Sequence, residues 1–209
     1  MATGARRGSP TPRPSPDPAR RRPDVRRAIL DATIDIVAAS GFQALSIEEI
    51  ARRAGVGKQT IYRWWPSKGA VLLDAFIERR VEERARFPVL ELDTGDLASD
   101  IRRVVREQIR HLATASIDAP YRALTVAIQD DPDLAEAVRE KLVRPSEEGV
   151  RDWLGAARDR GQLRADADLA VAAELLLGPV FYRWMLRTGP LDEAFADAVA
   201  DAAVTALRA

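Results

Sequence analysis

The sequence predicts an all-α fold of about nine helices, with a three-helix N-terminal unit ahead of a larger helical body. Three observations support this. Apolar residues recur three and four apart along most of the chain, the spacing that lines one face of a helix. No stretch shows the period-two alternation of a half-buried strand. Glycines, prolines and short polar residues interrupt the periodic segments where helix ends call for them.

The elements follow in order. The opening "MATGARRGSPTPRPSPDPARRRP" has no large apolar side chain beyond Met1. It cannot bury enough surface to offset its ordering entropy, so residues 1–23 are expected to be a disordered basic tail. Asp24 is the expected N-cap of the first helix. Ile29, Ala32, Thr33, Ile36 and Val37 form its stripe, and Gly41 ends it. Ser46, with Glu49 three residues on, is a capping box for a short second helix that stops before Gly55. A third helix over residues 57–64 is stopped by Pro66, because the residue before a proline avoids helical backbone. Ser67 opens a fourth, which carries Leu72, Leu73, Phe76 and Ile77 to residue 86. Residues 95–117 form the next, with Leu97, Ile101, Val104, Val105, Ile109 and Leu112 as its apolar face. A shorter helix covers residues 120–130. Pro132 starts another, which Pro145 is expected to kink or split before it stops near Gly161. Two last helices cover residues 168–188 and 191–207. The expected domains are residues 24–69 and 70–209, behind the tail.

Composition limits the chemistry. The chain has 209 residues, 46% of them hydrophobic, which is ample for a real core. It has no cysteine, so disulfides, thiolate nucleophiles and cysteine-bound zinc are excluded. A single histidine, His111, excludes a histidine metal cluster. The stretch "GVGK" lacks the spacing of a phosphate-binding P-loop. The carboxylate pairs Glu48–Glu49 and Asp130–Asp131 read as capping and solvated groups. No catalysis, cofactor or metal is therefore expected. No apolar run approaches the roughly 20 residues that cross a bilayer, and no signal-peptide core follows the Arg-rich start. A cytoplasmic protein is expected.

Net charge is zero, but it is unevenly spread. Residues 1–69 hold 13 Lys and Arg against 6 Asp and Glu, a net of +7, and the rest hold 19 against 26, a net of −7. A basic front on an acidic body suggests a polyanion-binding module. Arg20, Arg21 and Arg22 would follow phosphates as an arm, or serve only to solubilise the tail.

The stretch "AGVGKQTIYRWWPSK" shows what that module is. A short capped helix, a glycine turn and a second short helix make a helix-turn-helix, whose second helix lies in the DNA major groove. Ile61 and Trp65, four apart, would pack inward. Outward, Gly57 leaves room for close backbone approach. Lys58 suits guanine O6/N7, and Gln59 suits adenine N6/N7. The hydroxyls of Thr60 and Tyr62 suit phosphates, which position the helix without reading sequence. Trp64 would pack on a sugar-phosphate backbone, and Lys68 would meet a phosphate. Ser46 and Arg63 complete the expected DNA-facing set.

At these residues the chain resembles the TetR family of bacterial regulators. Ile29, Leu30, Ala32, Gly41, Ser46, Ile50, Ala51, Ala54, Gly55, Val56, Lys58, Thr60, Tyr62, Trp65 and Lys68 stand in step with the family pattern. Trp64 replaces a frequent histidine, Trp65 a phenylalanine and Gly57 a serine, so "YRWWPSK" looks like a subgroup. The resemblance implies a homodimeric, sequence-specific transcriptional regulator, a repressor released from a palindromic operator by a small-molecule effector. The alternative is an all-α small-molecule-binding or interaction protein without operator binding.

In the body, the last two helices are apolar over more than one face, so a four-helix interface with a second copy is expected. Leu176, Val180, Leu191, Phe195, Val199 and Ala203 are the expected interface residues, with packing inside one chain as the alternative. An effector pocket would draw on His111, Tyr121, Trp153, Phe181, Tyr182 and Trp184, aromatic walls with a few polar tips, unless these are ordinary core or surface residues. The expected partners are double-stranded DNA, an effector and a second copy, with no membrane.

Overall fold

A computed structural model describes residues 18–86 and 94–208. The α-helices within them are α1 (Pro18–Ser40), α2 (Ile47–Ala54), α3 (Lys58–Tyr62), α4 (Lys68–Arg86), α5 (Leu97–Ala113), α6 (Ala115–Ala127), α7 (Pro132–Val138), α8 (Arg144–Asp159), α9 (Leu169–Leu186) and α10 (Glu193–Leu207). A 3-10 turn, Phe42–Ala44, joins α1 to α2, and a π-helical segment, Arg139–Val143, joins α7 to α8. Among the described residues there is no strand, only an isolated bridge between Leu163 and Arg208. With α7, the π segment and α8 taken as one rod, the described chain has the nine helices expected.

Local chemistry sets the ends of the first helices. Gly41 has φ 74°, and its N–H reaches the Val37 carbonyl at 2.9 Å to close α1. Ser46 Oγ accepts from the Glu49 N–H at 3.1 Å, which makes the N-terminal cap of α2. Gly55, at φ 67°, ends α2 in the left-handed conformation that glycine tolerates best.

The first core joins Ile29, Leu30, Ile36 and Val37 of α1 to Ile47 and Ile50 of α2 and Ile61 of α3. It continues through Val71, Leu72 and Phe76 of α4 into Ile117 and Leu124 of α6 and Leu134 and Val138 of α7. The expected boundary at residue 69 therefore does not separate two cores. A Cβ on Gly69 would stand 2.7 Å from Leu134 Cδ2, so α7 packs closely on the first turn of α4 and a larger residue there would have to turn the Leu134 side chain. The second core unites Ile101 and Val105 of α5, Trp153 and Leu154 of α8, Leu176 and Val180 of α9, and Val199 and Ala203 of α10. Ion pairs Arg102–Asp201 (2.5 Å) and Arg106–Asp197 (2.8 Å) fasten α5 to α10.

Three boundaries depart from expectation or explain it. The first helix begins at Pro18 and not at Asp24, so residues 18–23, expected in the tail, are helical. Proline suits a first helical position, and alanine and arginine propagate helix well. The expected disorder of residues 1–17 lies outside the described residues. The break expected before Pro120 falls instead at Thr114, whose extended backbone (ψ 122°) separates α5 from α6. Its hydroxyl donates to the Arg110 carbonyl at 3.0 Å. Pro120 sits inside α6, where its missing N–H costs one backbone bond. Pro145 acts as expected: α7 loosens into the π segment just ahead of it, a wider turn that tolerates the absent donor.

The expectation that no apolar run approaches bilayer-crossing length does not hold for α9, the one described helix long and apolar enough to cross a membrane by length and composition. Its inner stripe of Ala172, Ala173, Leu176, Val180 and Trp184 is buried within the chain.

Candidate nucleic-acid interface

The helix-turn-helix presents α3 outward on two inward anchors. Ile61 is fully buried and Trp65 is 4% exposed. Trp65 N–H still bonds to the Ile61 carbonyl at 3.0 Å, so helical turns continue past Tyr62 until Pro66 stops them. The indole of Trp65 donates to Asp74 Oδ2 at 2.9 Å, and the Arg26 guanidinium of α1 lies 5.9 Å from its ring centre. The recognition segment is thus braced by α1, α2 and α4 together.

Most of the residues expected to face DNA lie on the outer face. Gly57, Lys58, Gln59, Tyr62 and Arg63 are exposed, and Thr60 is half-buried beside them. Gly57 has an ordinary φ of −78° with open space where a Cβ would stand, so its glycine is not required by the fold. Trp64 is half-buried. It meets Trp65 edge-on at 5.5 Å, and the Arg63 guanidinium lies 5.2 Å from its ring centre. Ser46 is half-buried and uses its oxygen as a cap acceptor. Lys68, the expected phosphate partner, is half-buried and also carries a structural bond. Its ammonium donates to the Leu45 carbonyl at 2.9 Å and sits 4.5 Å from the Phe42 ring centre, so it braces the approach to α2.

Sequence reasoning missed one member of this surface. Lys58 Nζ donates to Glu48 Oε1 at 2.9 Å, joining the start of α3 to the start of α2. That hydrogen bond holds the Glu48 carboxyl below its ordinary range and raises the Lys58 ammonium above its own. The adjacent Glu49 is engaged elsewhere: hydrogen bonds from Arg52 and Arg53 bring its carboxyl down to about 2. The signal for Glu48 was its place in the first turn of α2, ten residues before Lys58 at the start of α3, since a helix-turn-helix brings those two turns together.

This geometry agrees with the chain's relatives. The profile described as "Bacterial regulatory proteins, tetR family" matches residues 29–75, and that for "Tetracyclin repressor-like, C-terminal domain" matches residues 91–203. The chain belongs to the TetR family. It is 35% identical to the HTH-type transcriptional regulator YdeS of Bacillus subtilis (strain 168), over 81% of this chain and 82% of that one. It is 29% identical to a DNA-binding transcriptional repressor TetR of Mycobacteroides abscessus, over 83% and 88% of the two chains. The solved TetR family transcription regulator SCO0332 superimposes with a TM-score of 0.66 at 34% identity, covering 87% of this chain and 97% of its own. The protein is thus a TetR-family helix-turn-helix transcriptional regulator, with α2 and α3 as the two helices of that motif.

The body of this TetR-family chain redistributes the remaining expected residues. Leu176, Val180, Val199 and Ala203, expected at a dimer interface, lie in the second core, at most 8% exposed. Leu191 and Phe195 are half-buried, with the Arg183 guanidinium 3.5 Å from the Phe195 ring centre. The apolar side chains that α9 turns to solvent are Val171, Leu175, Tyr182 and Leu186. On α10, Ala194, Ala198, Ala202 and Ala206 are exposed.

Of the expected pocket residues, three come together. Tyr121 stacks between Phe76 and Trp184, 5.0 Å from each, and Phe181 meets it edge-on at 6.0 Å. Trp184 Nε1 donates to Asp118 Oδ1 at 2.6 Å, and Arg122 covers its other side at 4.2 Å. The rings fill the junction of α4, α6 and α9 by touching one another. Trp153 is buried in the second core, Tyr182 is 59% exposed, and His111 is half-buried on α5. Elsewhere, a groove of about 410 Å³ is lined by Arg139, Val143, Arg144, Glu147, Glu148 and Arg151, a charged wall without aromatics.

Proposed function

We propose that this regulator is a cytoplasmic, non-enzymatic repressor that binds a palindromic operator as a homodimer and is released by a small-molecule effector. The observation that supports it is the division of α3. Ile61 and Trp65 are locked in the core while Lys58, Gln59, Tyr62 and Arg63 face solvent on the same short segment. A solvated helix has no need of that anchoring, and a core helix would not carry that charge. Lys58 and Gln59 address base edges. Thr60, Tyr62, Arg63, Ser46 and Trp64, with the backbone at Gly57, address the sugar-phosphate chain.

The outward faces of α9 and α10 supply the dimer contact, with large side chains on one helix and alanines on the other. Two heads related by a two-fold axis meet half-sites about 34–36 Å apart, or a multiple of it. An effector releases DNA only by binding the off conformation more tightly than the DNA-bound one. An effector that parts the stacked rings of Tyr121, Phe181 and Trp184 would act on α4, which leads directly from the head.

The test is selection of bound duplexes from a random pool, followed by mobility shifts against the selected and scrambled sequences. A palindromic consensus with strongly preferred binding is expected. Recovery of random sequence, or binding equal for both duplexes, would reject operator recognition.

A further inference from the structure

The Lys58–Glu48 pair puts a negative group where DNA would arrive. Both side chains remain open to solvent, Lys58 at 53% and Glu48 at 65%. An exposed pair of this kind adds little to folding, so its main consequence is for what the ammonium can meet. The neighbouring Glu49 is clamped by Arg52 and Arg53 on α2 itself, which leaves Glu48 as the carboxylate facing α3. The bond fixes the position of a flexible ammonium at the first residue of the recognition helix. It also cancels the charge that would otherwise attract any phosphate.

The two side chains, Lys58 and Glu48, offer complementary chemistry to base edges. A lysine donates to guanine O6/N7, and a glutamate accepts from the cytosine N4 amino group. A phosphate offers only acceptors, so it is repelled by the carboxylate that a cytosine edge satisfies. From this geometry we propose that Glu48 is a specificity-determining residue of the DNA interface: it positions Lys58 for guanine, accepts from cytosine, and disfavours phosphate-only contacts. The protein gains sequence discrimination at the expense of general affinity. This rests on α3 being the operator-reading helix.

The test uses the full chain and E48Q, with E48A as a second charge-removing variant in case one folds poorly. Each is taken through random-pool selection, and each is titrated with a scrambled duplex across a salt series. Removal of the carboxylate frees Lys58 for a phosphate, so the slope of log affinity against log salt should steepen by about 0.9. Scrambled DNA should bind about tenfold more tightly, and preference for G·C pairs at one position of each half-site should fall by a similar factor. A merely structural role for Glu48 would change the melting temperature and leave slope and consensus alone. An unchanged slope and consensus in the variants, with a clear consensus in the parent, overturns the role of Glu48 only. No consensus in the parent overturns operator reading itself, and this inference with it.

Discussion

The indole N–H of Trp65 donates to Asp74 Oδ2 at 2.9 Å, which ties the turn after the recognition helix to α4. Asp74 also lies 3.5 Å from Arg26 of α1 and 3.8 Å from Lys141 of the π segment. One carboxylate thus gathers the recognition segment, the first helix and the body. Trp65→Phe keeps a ring in the core but removes the donor and leaves Asp74 short of one partner. A loss of about 1–3 kcal/mol in unfolding free energy is expected, read from denaturant midpoints. An unchanged midpoint would show that the bond adds nothing to the joint.

Two glycines of the helix-turn-helix should respond oppositely to a methyl group. Gly55 sits at φ 67° with open space around a Cβ, so Gly55→Ala meets no clash and suffers only backbone strain. The expected cost is about 1 kcal/mol of stability. Gly57, at φ −78°, accepts alanine without strain. Gly57→Ala should melt with the parent and yet bind operator less tightly, because the added carbon occupies space the DNA backbone needs. Melting curves and mobility shifts on both variants separate the two effects. Equal DNA affinity for Gly57→Ala and the parent would remove Gly57 from the interface.

The caps of this head were legible because they are local. Ser46 and Glu49 find each other across one turn, and Gly41 and Gly55 stop helices by their own backbone. Lys68 was not legible in that way. Its partner, the Leu45 carbonyl, lies 23 residues back, and only the folded crossing of the helices offers that oxygen to it. Glu48 was overlooked for the same reason, since a first-turn carboxylate looks like a helix-dipole group until Lys58 is brought beside it. Four of the six expected dimer residues, Leu176, Val180, Val199 and Ala203, lie in the protomer core for a different reason. Helix α9 is apolar on both sides, so periodicity identifies the stripes without saying which faces inward. The structure turns Leu176 and Val180 in and Leu175 and Tyr182 out.

Tyr121 gives the fold an alkaline limit. Burial raises its phenol above the ordinary 10.0, with the positive charge of Arg80 acting in the opposite direction. The unfolded chain releases that proton near pH 10 while the folded chain retains it. Stability from this group is therefore whole below about pH 10 and declines as pH rises toward the folded value. Tyr121→Phe keeps the stacking on Phe76 and Trp184 and removes the proton. Denaturant midpoints should fall less steeply for the variant than for the parent between about pH 9 and pH 11. Parallel declines would assign the alkaline loss to other groups.

Adjacent residues on α9 offer the sharpest test of how two copies meet. Leu175 is 37% exposed, and Leu176 is fully buried among α5, α9 and α10. In the dimer proposed above, a two-fold axis through the outward face brings each Leu175 close to the same face of its partner, so Leu175→Glu would set two carboxylates near one another in an apolar contact. Light scattering should then report the mass of one chain where the parent gives two, with helicity retained because the side chain lies outside the protomer core. Operator affinity should fall by tenfold or more, since the linked second half-site is what raises the effective concentration. Leu176→Ala should do the reverse. It opens a cavity in the second core and costs about 2–5 kcal/mol of stability, while whatever remains folded still pairs. If Leu175→Glu stayed dimeric and Leu176→Ala came apart without unfolding, the contact would lie on the face of α9 that the protomer buries, and the two-fold arrangement argued from its exposed side chains would be wrong.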